Sequence, residues 1–420
     1  MSTKLGVLFV GVNGSVATTS IVSAKAVAAG LSKEYGLYTS TLMSKVKDGK
    51  LERYNQKPIK EILDLIGYDQ VVFGGWDIEN ERENTFNYAR ELGIVPKEVV
   101  DSLRNELIYI KAMPGFYSEE FIKNLQGLYI LKQPTLKEKV QQLKNDITSF
   151  QKNHQLNQCV VINVSSTEAF HAPERMHQDL AQFEHEIAMN SSIIGPAQIY
   201  AYAALSCGAA YVNFTPSLAE DIPAIQELAK KVKRPIAGKD GKTGQTLMKT
   251  ALAPVFRLKN LHVEGWFSTN ILGNKDGLVL DEPGSLKSKI VTKSGVLNGI
   301  LGYEPYHKVN INYYPPRGDD KEAWDNIDFK GILGMPMQLK INFLCRDSIL
   351  AAGSILDLIR FMEYCLRQGE VGIQEQLSFF FKSPTLSDKS RQPIHDFFKQ
   401  EGMLKDWLRE KAFGVSYIAK

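Results

Sequence analysis

The segment Lys4–Val16, KLGVLFVGVNGSV, decides the fold. Leu5–Val10 is a near-continuous apolar run, the pattern of a strand buried on both faces of a parallel sheet. A glycine turn follows, Gly11-Val12-Asn13-Gly14-Ser15, and then residues 15–30 carry small and apolar side chains at helical spacing up to Gly30, a C-cap candidate. Strand, glycine turn and helix in that order suit a nucleotide: without a Cβ, backbone N–H groups approach a pyrophosphate, and the helix N-terminus favours negative charge. The turn is not a clean GxGxxG, because Asn13 and Val16 stand where the second and third glycines belong. It also fits an ordinary strand-to-helix turn without a ligand. A ribose-binding acid is expected about 20 residues beyond such a turn, yet Tyr38–Met43 holds no carboxylate. Asp77, in FGGWDI, is the ribose candidate, or else the N-cap of the helix after it.

Outward from this unit, short apolar strands near Gln70–Phe73, Cys159–Val164, Tyr211–Phe214 and Pro235–Ala237 alternate with amphipathic helical stretches. That alternation predicts a doubly wound, Rossmann-like α/β sheet. After about residue 245 the rhythm changes. Longer segments with alternating apolar residues, around Leu261–Ser268, Lys308–Tyr314 and Met337–Leu344, predict an antiparallel or mixed sheet with one covered face. From Ser348 the chain reads as helical to its end. The expected organisation is a discontinuous Rossmann-like domain, residues 1–245 and 350–420, interrupted by an α+β catalytic insert at 246–349.

Composition narrows the function. The 420 residues carry a formal charge of only +3, too little to argue for nucleic acid or a membrane surface. The four cysteines lack CxxC or Cys/His spacing and read as free thiols of a reducing compartment, and the seven histidines show no metal-ligand spacing. No apolar run reaches membrane-spanning length and no cleavage-like leader opens the chain, so a soluble cytoplasmic protein is expected.

Three stretches then gather glycine, lysine and aspartate: residues 237–246 (AGKDGKTGQT), 268–277 (STNILGNKDG) and 287–294 (KSKIVTKS). An anionic, phosphorylated small molecule is the economical reason for that concentration. A P-loop is excluded, since its first glycine would fall on Ile236. Thr243-Gly244-Gln245-Thr246 instead opens a helix whose free N–H groups and hydroxyls form a phosphate seat, or a plain threonine cap. Lys289 and Lys293 lie four apart; on a helix their repulsion of a few tenths of a kcal/mol is reversed by a bound anion. A neighbouring cation also lowers a lysine pKa, which suits Lys289 to proton transfer. Lys321 and Lys382 add two further cations, the latter behind an apolar run, SFFFK, that anchors it. Asp240, Asp276 and Asp347 stand at element ends, where catalytic side chains collect and caps and turns also form. Trp266, Tyr313, Tyr314 and Trp324 read as core or subunit-contact residues.

The order GWDI, VSSTE, YVNFTP, GKDGKTGQT, STNILGNKDG, KSKIVTKS, GDDKEAWD, FLCRDSILA and FFKSP resembles the myo-inositol-1-phosphate synthase family, in its bacterial, Bacteroidetes-like branch, from about Leu5 to Pro384. The resemblance implies an NAD-dependent, redox-neutral isomerisation and aldol cyclisation of glucose 6-phosphate on a Rossmann-like domain with an inserted catalytic and tetramerisation domain. It implies cofactor contacts at Gly11, Val12, Asn13, Gly14, Ser15, Asp77, Ile78, Thr167, Asp276 and Asp347. The phosphate cradle would be Thr243, Gly244, Gln245, Thr246, Leu272, Asn274 and Lys293, and catalysis would rest on Lys289, Lys321, Lys382, Lys293 and Asp240. It also implies a homotetramer, and leaves open NAD against NADP, an assisting monovalent or divalent cation, and the downstream use of the product. Departures are Ser166 for the asparagine of the TANTE motif, Thr243 for serine, and Gly241 for a bulkier residue, which is expected to loosen the loop. The alternatives are an NAD(P)-dependent dehydrogenase of a sugar phosphate and a non-catalytic sensor.

Overall fold

The computed structural model describes residues 4–47, 50–122, 125–273 and 295–414. In chain order its strands are β1 (Leu5–Val10), β2 (Leu42–Lys47), β3 (Lys50–Pro58), β4 (Val71–Asp77), β5 (Met113–Pro114), β6 (Gln158–Asn163), β7 (Ala210–Asn213), β8 (Pro235–Gly238), β9 (His262–Leu272), β10 (Tyr306–Tyr313), β11 (Asp320–Lys330), β12 (Pro336–Arg346) and β13 (Gly372–Ile373). Seven of them form a parallel sheet in the order β13-β8-β7-β6-β1-β4-β5. β1 lies between β4 and β6, with Val10 in register with both Trp76 and Asn163. The chain leaves β1 toward β4 and later returns to β6 on the other side, so the carboxyl ends of these strands border a topological switch point, where α/β sheets bind ligands.

Every residue of β1 is buried, as its unbroken apolar run requires. Its side chains alternate between two cores: Val7 and Phe9 pack with the helices Ser15–Ala28 and Asp347–Gln368, while Leu8 and Val10 pack with the helices Leu136–His154, Pro196–Ser206 and Pro223–Lys231. The first helix ends as expected at glycine. Gly30 has φ +71°, and the Leu31 N–H donates to the Ala26 carbonyl at 2.8 Å, closing the turn.

The second sheet is mixed, in the order β10-β9-β11-β12, with only the β10–β9 pair parallel. One face packs on the helix Gly244–Leu258 and on helical residues 295–301, through Ala253, Phe256, Trp266, Leu297, Ile300 and Ile327. The other face is open and carries Phe267, Trp324 and Leu344, all exposed. β11, one of its two inner strands, has no counterpart in the sequence reading. Its inward positions include Lys321 and Asp325, charges that mask the period of two. The β2–β3 hairpin was likewise not anticipated. The expectation of helix from Ser348 to the end is overturned: residues 369–396 hold β13, the 3₁₀ turn Glu375–Phe380 and irregular chain before a last helix, Phe397–Phe413. The divisions drawn at 245/246 and 349/350 fall inside the helices Gly244–Leu258 and Asp347–Gln368.

Candidate active site

The nucleotide side is built from the ends of β1, β4 and β6. Gly11 has φ +87°, and a Cβ there would lie 3.1 Å from the Cα of Ser165, so the turn needs a residue without a side chain. The Gly11 and Val12 N–H groups donate to the Trp76 carbonyl at 2.8 and 3.1 Å. Gly14 is the N-cap of the helix Ser15–Ala28; no side chain caps that helix and no acid sits in its first turn. This leaves a cradle of N–H dipoles suited to a pyrophosphate. Asp77 is not the cap of the following helix, which Asn84 caps. Its carboxylate accepts the N–H of Asn13 at 2.9 Å and of Glu79 at 3.1 Å, tying the glycine turn to the end of β4. The Ile78 carbonyl accepts from Leu128 and Tyr129. At β6, Asn163 Oδ1 accepts both the N–H and the hydroxyl of Ser165, at 3.1 and 2.7 Å, which sets the path toward buried Thr167.

A short antiparallel ladder joins the end of β8 to residues 380–385. Lys239 and Lys242 N–H donate to the Ser383 and Phe380 carbonyls, and Lys382 and Thr385 N–H donate to the Asp240 and Gly238 carbonyls. The ladder places buried Lys382 against buried Asp240, Nζ to Oδ1 3.1 Å. Gly241 does not loosen the loop: a Cβ there would run into the Phe214 ring, and its N–H donates to the Phe214 carbonyl at 3.0 Å.

Lys321, near the start of β11, sits in register with Leu272 and Cys345 and is 8% exposed. Its Nζ lies 3.2 Å from Oδ2 of Asp347, the first residue of the helix Asp347–Gln368. A Cβ on Gly244 (φ +51°) would lie 3.5 Å from that Nζ, so the Lys321–Asp347 pair hangs over the first turn of the helix Gly244–Leu258. Thr243 is the N-cap, but its side chain makes no capping bond and the first turn holds no acid. Thr243, Gln245 and Thr246 are buried. The Gln245 side chain turns to the second sheet, accepting from Asn270 Nδ2 at 2.7 Å. Asn274, Asp276, Lys289 and Lys293 lie outside the described residues.

Two lysines were not singled out by the sequence. Lys242 is 6% exposed; its Nζ donates to Gln400 Oε1 and lies over the Phe379 and Phe397 rings. Lys249 is 3% exposed and its Nζ meets His307 Nε2 at 2.8 Å. Burial lowers Lys242 to about 7 and Lys249 to about 8. Helical spacing was the available signal for Lys249, which shares a buried face with Thr246 and Thr250. Among the described residues no group of three or more His, Cys, Asp or Glu could hold a metal ion, and no helix is long and apolar enough to cross a membrane.

Residues 5–409 match the family model described as myo-inositol-1-phosphate synthase, a match that spans both sheets and both lysine pairs. This chain belongs to the myo-inositol-1-phosphate synthase family. It is 44% identical over 415 residues to inositol-3-phosphate synthase 1 of Bacteroides thetaiotaomicron, covering 97% of this chain and 95% of the relative, in keeping with the expected branch. The fold is that of an inositol-3-phosphate synthase from Caenorhabditis elegans, with a TM-score of 0.90 at 24% identity over 100% of this chain and 88% of the other. A myo-inositol-1-phosphate synthase-related protein from Thermotoga maritima superposes with a TM-score of 0.76 at 25% identity, covering 96% and 98% of the two chains. Membership in an NAD-binding synthase family accords with the glycine turn at the carboxyl end of β1.

Proposed function

We propose that the chain is an NAD-dependent inositol-3-phosphate synthase that converts glucose 6-phosphate to 1L-myo-inositol 1-phosphate. The observation that carries this reading is the placement of two buried ammonium groups along one stretch: Lys382 against Asp240, and Lys321 over Gly244. The Gly11–Ser15 cradle fits a pyrophosphate, and the carboxylate of Asp77 at the adenosine side disfavours a 2′-phosphate, hence NAD over NADP. Bound NAD supplies a hydride acceptor at carbon 5 and returns the hydride after ring closure.

The protein's own groups do the rest. The first turn at Thr243–Thr246, with Lys293, fixes the phosphate and so the chain end that must cyclise. That phosphate is suited to take the carbon 6 proton. Lys321 and Lys382 steady the enolate and aldol oxyanions in a dry pocket, where fixed cations act most strongly. Lys289 moves the proton at the carbon 5 oxygen. Asp240 and Asp347 hold the two ammonium groups in place.

Incubation with glucose 6-phosphate and catalytic NAD+ should yield inositol phosphate at steady cofactor absorbance. Accumulating NADH would favour the dehydrogenase instead, and binding without conversion the sensor. The open face of the second sheet, with Phe267 and Trp324 exposed, supports a homotetramer in which that face is covered by another copy.

A further inference from the structure

We propose that Glu220 is a positioning residue for the cyclisation: its buried carboxyl group braces one end of the ladder that sets the Lys382 ammonium against Asp240. The inference rests on Lys382 serving the proposed reaction.

Glu220 lies in the turn between β7 and the helix Pro223–Lys231 and is 0% exposed. Its Oε1 accepts the Thr385 hydroxyl at 2.8 Å. The same oxygen packs on Gly238, where an added Cβ would lie 2.1 Å from it. Thr385 and Gly238 are themselves joined, N–H to carbonyl at 2.8 Å, as the end rung of the ladder. Further in, the Lys382 N–H donates to the Asp240 carbonyl at 2.6 Å, and the side chains of the pair meet. One carboxyl group therefore touches both chains of the ladder, at the rung beyond the pair.

The fold gains little from that placement. Among the described residues Glu220 Oε2 is buried and meets no hydrogen-bond partner. The cation nearest in sequence, Lys239, is bonded to Asp221 instead. Burying a carboxyl group with an unmet oxygen is costly, and an apolar side chain of similar size suits a core better. What the group does supply is direction. The hydroxyl–carboxyl bond fixes where Thr385 sits relative to Gly238, because hydrogen bonds weaken steeply off their preferred angles, whereas apolar contact would let the two chains slide. The slide would be passed to Lys382, three residues from Thr385 on the same extended segment. A misplacement of about 1 Å at a reacting group costs on the order of 10²-fold in rate.

The test compares stability with steady-state kinetics on glucose 6-phosphate and NAD+. Glu220→Leu/Thr385→Val removes both ends of the bond and leaves no polar group unmet, so its urea midpoint should equal or exceed that of the wild type. Its kcat should fall by about 10–100-fold while KM for glucose 6-phosphate and the affinity for NAD stay within about twofold. Glu220→Gln keeps the acceptor and should restore kcat to within about threefold of the wild type. Opposite signs, stability kept and turnover lost, are what a purely structural residue would not give. A double variant that keeps wild-type kcat, one whose midpoint collapses, or a Glu220→Gln protein as slow as the double variant overturns the brace and leaves the proposed reaction standing. A wild-type protein that forms no inositol phosphate overturns that reaction and the inference with it.

Discussion

Lys382 and Asp240 are a buried pair whose separate roles can be disentangled by substitution. Lys382→Met leaves a buried carboxylate without its cation, which costs about 3–5 kcal/mol of stability and on the order of 10²-fold or more in kcat. In Lys382→Met/Asp240→Asn the uncompensated charge is gone. Denaturation should then return close to the wild-type midpoint while turnover stays lost; recovery of turnover would remove Lys382 from the chemistry. Lys242 poses a different case. Its ordinary pKa of 10.5 falls to about 7 in the folded protein because burial disfavours the ammonium. Between those values the unfolded chain binds more protons, so Lys242 makes stability rise as pH climbs from about 7 toward 10.5. Lys242→Met lacks that increment. The stability difference between the two proteins, read from urea midpoints at pH 7 and pH 9, should therefore shift in the wild type's favour by up to ~2–3 kcal/mol. An unchanged difference would mean that Lys242 does not titrate in this range.

The helix Gly244–Leu258 starts unusually, and its start can be tested as an element. A threonine N-cap normally contributes about 1 kcal/mol, but the Thr243 side chain makes no capping bond. Thr243→Ala should leave stability within about 0.5 kcal/mol while raising KM for the phosphorylated substrate several-fold. A large loss of stability with unchanged KM would make Thr243 an ordinary cap. The start of the helix was legible in the sequence because TGQT combines turn, hydroxyl and helix-start signals within four residues. β1 and its turn were legible for the same reason: an unbroken apolar run and a required glycine leave little choice. β11 was not, since an inward-facing Lys321 and Asp325 make a functional strand look like a polar loop. Lys242 and Lys249 were hidden by the opposite difficulty. A buried lysine and a solvated one are the same letter, and only distant partners distinguish them: the rings of residues 379 and 397 over Lys242, and His307 against Lys249.

At the scale of the molecule the open sheet face is the unfinished surface. Phe267 on β9 and Trp324 on β11 are 43% and 49% exposed on a four-stranded sheet whose other face is fully occupied. A second sheet packed at about 10 Å would cover them. Trp324→Glu is expected to shift the assembly to smaller species in sedimentation equilibrium while leaving the monomer fold, read by circular dichroism, unchanged. A wild-type protein that sediments as a monomer would remove the oligomer altogether. The change from a parallel sheet to a second, mixed sheet was readable from strand periodicity. The return of the chain from the second sheet into the ladder was not, because residues 380–385 pair with 238–242 across a long sequence separation that no local pattern encodes.

That ladder sets an order of assembly. The strands that border the Gly11 turn are complete by the end of β6, whereas Phe380, Phe381, Leu404 and Leu408 of the core beneath β1, and Lys382, the partner of Asp240, arrive more than two hundred residues later, in the last tenth of the chain. A translation product ending ahead of Phe380 would lack both Lys382 and part of the core under the Gly11 turn, so coenzyme binding and turnover should be lost together. Messages cut short near the 3′ end should yield an inert product that leaves the intact enzyme its coenzyme.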